Sequence, residues 1–221
     1  MSRPRSTAAH KKVLESAAGL FAERGIDSTS MDAIAEVSGV SKATIYKHWT
    51  DKDELCLEVL SYLHGLHEEA PTYDSGDLRA DLIAQLRYEP APEKRAMRER
   101  IMPHLIAYAA RHRVFGDQWR ARVMERPRTR LKQIILLGIQ RNQLSADLNL
   151  DVSLAMLLGP LLYRRIFIHA FGGKLPQDFE SYIVDGFLVA YSKSDVKKTV
   201  KITKKAKGNA ISKDDVRLKG R

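Results

Sequence analysis

Apolar residues in the first seventy positions recur every three to four residues, a spacing that predicts four consecutive helices. The first helix begins after a cap at Ser6 or Thr7, ends at Gly25 and has an apolar face made of Val13, Ala17, Leu20 and Phe21. The fourth helix runs from about 51 to 69, with inward positions at Leu55, Val59, Tyr62, Leu63 and Leu66. Two much shorter helices are predicted between them.

The first short helix begins at a capping-box pattern, Thr29 followed three residues later by Asp32. Gly39 ends this helix, because glycine readily adopts the left-handed conformation that terminates helices. The capping pattern recurs at Thr50 and Asp53, where it predicts the start of the fourth helix.

The second short helix combines a buried side with a basic outer surface. Ser41 is a suitable N-cap, and Ile45 and Trp49, four residues apart, share one face that points into a core. The outer surface carries hydroxyl groups, one aromatic ring and basic side chains but no acid: Lys42, Ala43, Thr44, Tyr46, Lys47 and His48. A short helix with this surface can enter the major groove of DNA.

Helical spacing continues to residue 192. Further helices are expected at about 76–88, 93–112, 117–142, 150–169 and 176–192. Nothing between 70 and 192 alternates with a period of two, so the predicted fold class is all-α, with about nine helices. Pro71 and Gly76 interrupt the pattern. We therefore predict a helix-turn-helix domain at 1–50, a connecting helix at 51–69 and a helical domain at 70–192.

The positive charge is concentrated at the C-terminal end. The formal net charge is +10, and residues 193–221 hold eleven Lys or Arg against three Asp, a net charge of +8. Apolar residues are too sparse there for a core, which predicts a disordered tail. Two interpretations remain open: a non-specific contribution to DNA affinity, or a solubilising extension.

Cysteine content and hydropathy favour a cytoplasmic protein. Cys56 is the only cysteine, so an intrachain disulfide is excluded and a reducing compartment fits. The basic N-terminus lacks the apolar segment of a signal peptide. The most apolar run, Leu154 to Tyr163, is too short to cross a bilayer, so no membrane partner is expected.

The segment from Ala17 to Leu55 resembles the DNA-binding domain of TetR-family transcriptional regulators. The matching features are an Ala-x-x-Leu-Phe-x-x-x-Gly helix end at 17–25, the Thr29 cap, Ile34-Ala35, Gly39-Val40-Ser41, Thr44-Ile45-Tyr46, Trp49 and Lys52-x-x-Leu55. The resemblance implies a repressor that binds double-stranded DNA as a homodimer and is released by a small-molecule effector. It implies DNA contacts from Thr29, Ser41, Lys42, Ala43, Thr44, Tyr46, Lys47, His48 and Lys52.

For the C-terminal domain, the resemblance implies an effector pocket and a dimer interface. The pocket candidates are Met97, His104, Tyr108, Trp119 and Met156, for which plain core packing is the alternative. The last two helices would form a four-helix interface with a second copy, unless they are simply the core of their own domain. The interface candidates are Leu154, Leu157, Leu158, Leu161, Phe167, Phe179, Ile183 and Phe187.

The sequence offers little support for catalysis. It has no glycine-rich phosphate loop, nucleophile elbow or paired metal-ligand spacing. His64 and His67 stand three residues apart, but a solvated helix end is the commoner explanation for such a pair. We predict no catalytic residue, no metal site and no cofactor, and therefore no enzyme. The open alternative is an architectural protein that coats DNA through the basic tail.

Overall fold

The computed structural model describes residues 4–168 and 173–193, with side chains from residue 7. The helices are α1 (Pro4–Arg24), α2 (Met31–Ser38), α3 (Lys42–His48), α4 (Lys52–Leu63), α5 (Leu78–Arg87), α6 (Arg95–Arg111), α7 (Arg113–Trp119), α8 (Glu125–Gln140), α9 (Leu150–Tyr163) and α10 (Phe179–Tyr191). A 3-10 turn (Pro92–Lys94) precedes α6, and π-helical turns follow α7 (Arg120–Met124) and α9 (Arg164–Ile168).

These elements confirm the all-α prediction. The π-helical turn at 120–124 joins α7 and α8 into one continuous helix, so the described part of the chain holds nine helices. No strand occurs in that part, apart from an isolated bridge between Leu144 and Ser192. None of the helices described is long and apolar enough to cross a membrane.

The first compact unit comprises the described residues of 1–72, 88–130 and 161–175. Its core forms where α1, α4 and α6 pack against one another, and α2 packs against α1. Phe21, Trp49 and Phe115 are fully buried there. Each such side chain contributes about 1.5–3 kcal/mol through burial, so this core fixes the short helices α2 and α3 on a stable support.

Two helix starts near the short helices differ from prediction by one residue. The Thr29 cap is wrong: the Ser30 hydroxyl oxygen accepts the Ala33 amide at 3.1 Å and caps α2. The Thr50 cap is also wrong, because Asp51 accepts the Glu54 amide at 2.8 Å and caps α4. In both cases the neighbouring residue has an equally good capping side chain.

The start of α1 also differs from prediction. It begins at Pro4 rather than after Ser6 or Thr7, in keeping with the preference of proline for the first turn of a helix. At the far end, the backbone of Gly25 has a φ of 83°. A Cβ there would lie 3.1 Å from Nδ1 of His104, so both the conformation and the close contact require glycine.

The second compact unit comprises the described residues of 73–87, 131–160 and 176–193. Within it α5 packs against α10. Arg79 donates from Nε and Nη2 to the Asp185 carboxylate at 2.7 and 3.2 Å. This two-point pair holds α5 against α10 with a defined orientation.

The compact units divide the chain differently from the predicted domains. A boundary at 72/73 lies close to the expected break, but residues 88–130 belong with the N-terminal helices. The reason is packing, because α6 contacts both α1 and α4. The predicted disordered tail, from residue 194 onwards, lies outside the described residues.

Three of the predicted dimer contacts require correction. Leu154, Leu157 and Phe187 are buried within the protomer, so their side chains form core and are inaccessible to a partner. Phe167 is 48% exposed, and the four remaining candidates are half-buried: Leu158, Leu161, Phe179 and Ile183. A helix that is apolar on most sides does not reveal from sequence which side faces its own core.

Candidate nucleic-acid interface

A tight turn sets the angle between α2 and α3. Gly39 ends α2 in the left-handed conformation, with φ 65° and ψ 20°, and its amide donates to the Glu36 carbonyl. The Ser41 hydroxyl oxygen then accepts the Thr44 amide at 3.2 Å and begins α3. Both features confirm the predicted helix-turn-helix, because each depends on residues within four positions along the chain.

The outer face of α3 is exposed. Ile45 is buried, while the predicted DNA-contacting residues of this segment all reach solvent: Ser41, Lys42, Ala43, Thr44, Tyr46, Lys47 and His48. Tyr46 has 51% of its surface exposed, an unusual position for a large aromatic side chain. The face offers hydroxyl donors, cations and one ring, as recognition of base edges and phosphates requires.

A hydrogen-bonded cluster fixes the end of α3. Trp49 is buried, and its Nε1 donates to Oε2 of Glu58 at 2.5 Å. His10 Nε2 donates to Oε1 of the same carboxylate at 2.6 Å, since an ionised carboxylate only accepts. The His10 ring also stacks on Trp49, with centroids 4.6 Å apart. The outer face is therefore presented by a helix bonded to both α1 and α4.

Lys42 forms an exposed ion pair across the two short helices. Its Nζ lies 2.7 Å from Oδ2 of Asp32, and both side chains are more than half exposed. Exposed pairs of this kind contribute about 0–1 kcal/mol. Lys42 can therefore exchange Asp32 for a DNA phosphate at little cost.

Two of the predicted DNA contacts are held inside the protein. Thr29 is buried, and its hydroxyl donates to the Gly25 carbonyl at 2.8 Å. Lys52 donates from Nζ to the carbonyls of Ile26 and Asp27 at 2.7 and 3.2 Å. Both side chains close the loop between α1 and α2, so we do not include them in the exposed interface.

The C-terminal end of α6 reaches the same loop and the start of α4. Tyr108 is buried and donates from its hydroxyl to Asp53 at 2.6 Å. Burial raises the pKa of Tyr108, and the hydrogen bond to Asp53 raises it further. Arg111 and His112 both bond to Asp27. These contacts, absent from the sequence prediction, couple α6 to the support of the reading helix.

The five predicted pocket residues do not surround a common cavity. Met97 and Trp119 pack against the first unit's core, Tyr108 belongs to that core, and His104 lies against Gly25. Met156, in the second unit, is exposed. A recess in the first unit is lined by a different set: Glu89, Arg95, Arg98, Glu99, Met102 and Arg165. Ligand contact by the five remains a prediction.

Two other titratable groups are unsuited to metal binding or redox chemistry. Cys56 is buried, and burial raises the pKa of its thiol far above the usual range, which disfavours the reactive thiolate. Burial lowers the pKa of His64 to about 3, with Arg98 and Arg165 acting in the same direction. Across the described residues, no three His, Cys, Asp or Glu side chains are grouped to hold a metal ion.

Two family models match most of the chain. The model for bacterial regulatory proteins of the tetR family matches residues 13–59. The model for the tetracyclin repressor-like C-terminal domain matches residues 72–185. The first match spans the end of α1 through most of α4 and includes the whole exposed face of α3.

Similar proteins carry related descriptions. The chain is 31% identical over 166 residues to YdeS of Bacillus subtilis, an uncharacterised HTH-type transcriptional regulator, covering 73% of this chain and 80% of that protein. It is 28% identical over 158 residues to the DNA-binding transcriptional repressor TetR of Mycobacteroides abscessus, covering 70% and 82%. A structure described as a TetR-family regulator from Mesorhizobium loti shares the fold, with a TM-score of 0.57 at 23% identity, covering 86% of this chain and 100% of that one.

Proposed function

Because the chain belongs to the TetR family of bacterial DNA-binding transcriptional regulators, we propose that it is a repressor released from a palindromic operator by a small-molecule effector. The observation that carries the proposal is the exposed, acid-free face of α3, held by the Trp49–Glu58–His10 cluster. Such a protein acts on the chromosome, so we retain the cytoplasm as its location.

Side chains on α3 divide into two proposed groups. Lys42, Ala43, Thr44 and Lys47 contact base edges or the groove wall, and Tyr46 and His48 contact phosphate. Base-edge contacts select the sequence, while phosphate contacts fix the position of the helix on the duplex. Ser41, as the N-cap, sets where the exposed face begins.

A homodimer supplies the second reading helix. One short helix reads only a few base pairs, so two copies related by a two-fold axis read two half-sites of a palindrome. The proposed contact uses exposed small and apolar positions of the second unit. These are Val152, Ala155, Met156 and Gly159 on α9 and Tyr182, Gly186, Val189 and Ala190 on α10. Their spacing of three to four residues gives each helix one apolar stripe.

Release by an effector requires a path to the reading helix. A ligand that favours one arrangement of α6 weakens operator binding by the ratio of its affinities for the two arrangements. The Tyr108–Asp53 hydrogen bond and the contacts of Asp27 with Arg111 and His112 support this path. A repressor rather than an activator is favoured by the related repressor of Mycobacteroides abscessus.

The proposal is tested by selecting bound fragments from a random DNA library at about physiological salt. The full chain is expected to enrich one palindromic site, because a two-fold dimer presents α3 twice. The same selection with Tyr46→Ala serves as the matched comparison and should enrich nothing. Enrichment of the same site by both proteins would reject α3 as the reading element.

A DNA-coating protein is the second candidate, favoured by the net charge of +8 on residues 193–221. If all of that charge displaced counterions, the tail would steepen the log–log salt dependence of DNA affinity by up to about seven units. A chain ending at Lys193 distinguishes the candidates. A repressor keeps its palindromic site with weaker affinity, whereas a coating protein enriches no site and loses binding.

A further inference from the structure

A recess in the first unit, beside α6, is rich in arginine. Its lining consists of Glu89, Arg95, Arg98, Glu99, Met102 and Arg165, around about 220 Å³ of empty space that is partly open to solvent. Three guanidinium groups therefore face two carboxylates. The recess thus has an excess of positive charge.

Two of the three arginines already have partners. Arg98 is buried and donates to three backbone carbonyls at 2.6–2.9 Å, one of them that of Leu63 at the end of α4. Arg98 and Arg95 both also donate to Oε1 of Glu89 at 2.7 Å. The Glu89 carboxylate is thus shared by these two, and they stabilise the fold around the recess.

Arg165 differs from both. It is half-buried, and its guanidinium makes no hydrogen bond or ion pair with any other described residue. Burial lowers its pKa, Arg98, Arg164 and Arg95 lower it further, and Glu99 opposes them. The potential around Arg165 is therefore positive, which attracts an anion. A desolvated cation without a partner costs stability, and such costs concentrate at functional sites.

We propose that this recess binds the carboxylate of a small organic acid through Arg165, with Met102 beside the hydrocarbon part of the ligand. A planar guanidinium forms two parallel hydrogen bonds with a carboxylate. Met102 is buried, and its flexible thioether adapts to apolar groups of different shapes. The small volume excludes large ligands.

The same acid would act as effector, a step that rests on the proposed function. Arg98 lines the recess and holds the Leu63 carbonyl. The opposite end of α4 carries Asp53, which bonds to Tyr108. An anion that draws on the arginines of the recess therefore acts directly on the anchoring of α4. Acid binding is expected to lower operator affinity.

The binding site is tested without DNA, by calorimetric titration of the full chain with acetate, butyrate and benzoate. Ligands of this size bind weakly, so the titration extends to about 10 mM. At least one acid is expected to saturate the protein, and its neutral amide should not. Arg165→Gln should weaken binding at least about tenfold, since the charge-assisted pair is lost. Arg164→Gln, a neighbouring arginine outside the recess lining, is the matched control and should bind normally.

Thermal unfolding separates a ligand site from a structural role. Arg165→Gln removes an unpaired cation, so it should melt no lower than the wild type, and the acid should raise only the wild-type melting temperature. Arg165→Lys is a second variant that keeps the charge but loses the planar fork, and it should also bind the acid more weakly.

Several results would overturn the site. They are the absence of saturable binding by all three acids, unchanged affinity in Arg165→Gln, or tighter binding of inorganic phosphate than of any acid. The last result would make the recess a phosphate site. Acid binding that leaves operator affinity unchanged would retain the site but reject the effector role. Failure to select any operator would reject the proposed function and leave the acid site standing.

Discussion

At the scale of single residues, Tyr46 gives the sharpest prediction about DNA. Its ring is 51% exposed, and the α3 core contacts come from Ile45 and Trp49 instead. Tyr46→Ala should therefore leave the melting temperature nearly unchanged while abolishing specific operator binding, measured by fluorescence anisotropy. Tyr46→Phe separates the ring from the hydroxyl as a control. Unchanged operator affinity in Tyr46→Ala would show that α3 does not make the contact.

Lys52 gives the opposite prediction. Its Nζ donates to two backbone carbonyls, of Ile26 and Asp27, so Lys52→Met should lower the free energy of unfolding by about 1–3 kcal/mol. Urea denaturation measures this change. The salt dependence of operator binding should stay the same. Unchanged stability with a salt slope reduced by about one would instead restore Lys52 as a phosphate contact.

His64 makes stability depend on pH. Burial beside Arg98 and Arg165 lowers its pKa from 6.5 to about 3, so between these values the unfolded chain binds a proton that the folded chain does not. Stability is therefore fully present above about pH 6.5 and falls as the pH drops towards 3. At about 1.4 kcal/mol per pH unit, the upper limit of the loss is about 5 kcal/mol.

Urea denaturation from pH 7 to 4 measures this loss. The His64→Gln variant should lose less stability than the wild type over that range, because glutamine does not titrate. Equal pH dependence of the two proteins would show that His64 is protonated in the folded state.

Sequence predicts those residues whose roles depend on near neighbours. Gly39, Ser41 and Ile45 act within four positions along α2 and α3, and the structure confirms all three. Lys52 was misjudged because its partners lie 25 and 26 residues away. Arg165 is similar, since the groups that surround it come from a distant part of the chain and no local pattern reveals them.

At the scale of helices, the contact between α6 and α4 carries a testable consequence. Tyr108 is buried and donates to Asp53 in the first turn of α4. Tyr108→Phe removes that donor and should destabilise the protein by about 1–2 kcal/mol. Hydrogen exchange should accelerate around residues 52–56 but not at the opposite end of α4, where Arg98 holds the Leu63 carbonyl. Uniform exchange along α4 would indicate that Tyr108 does not anchor its first turn.

Helix positions followed from periodicity, whereas the helix faces did not. The spacing predicted α5 at about 76–88, and it spans Leu78–Arg87. On α9, apolar residues occupy most sides, so the sequence could not tell core from surface. Leu154 and Leu157 are buried and Val152 and Met156 are exposed, a distinction set by the neighbours of the helix.

At the scale of the whole molecule, the family resemblance read from 17–55 is confirmed by family models over 13–59 and 72–185. The division into compact units was less predictable. Pro71 and Gly76 mark a break in composition, but long-range packing joins residues 88–130 to the N-terminal helices. Such packing depends on side chains far apart in sequence, which hydrophobic spacing alone does not encode.

The central claim is that α3 lies in the major groove, once in each half of a dimer. Ala43 is exposed on α3, and Cys56 is buried with a thiol pKa raised by burial. An Ala43→Cys protein therefore offers one reactive thiol for a tethered iron chelate that cuts DNA nearby. On the selected operator we predict two symmetric cleavage sites in successive major grooves, about 34–36 Å apart. Cleavage scattered along the fragment, or at a single position, would contradict the claim.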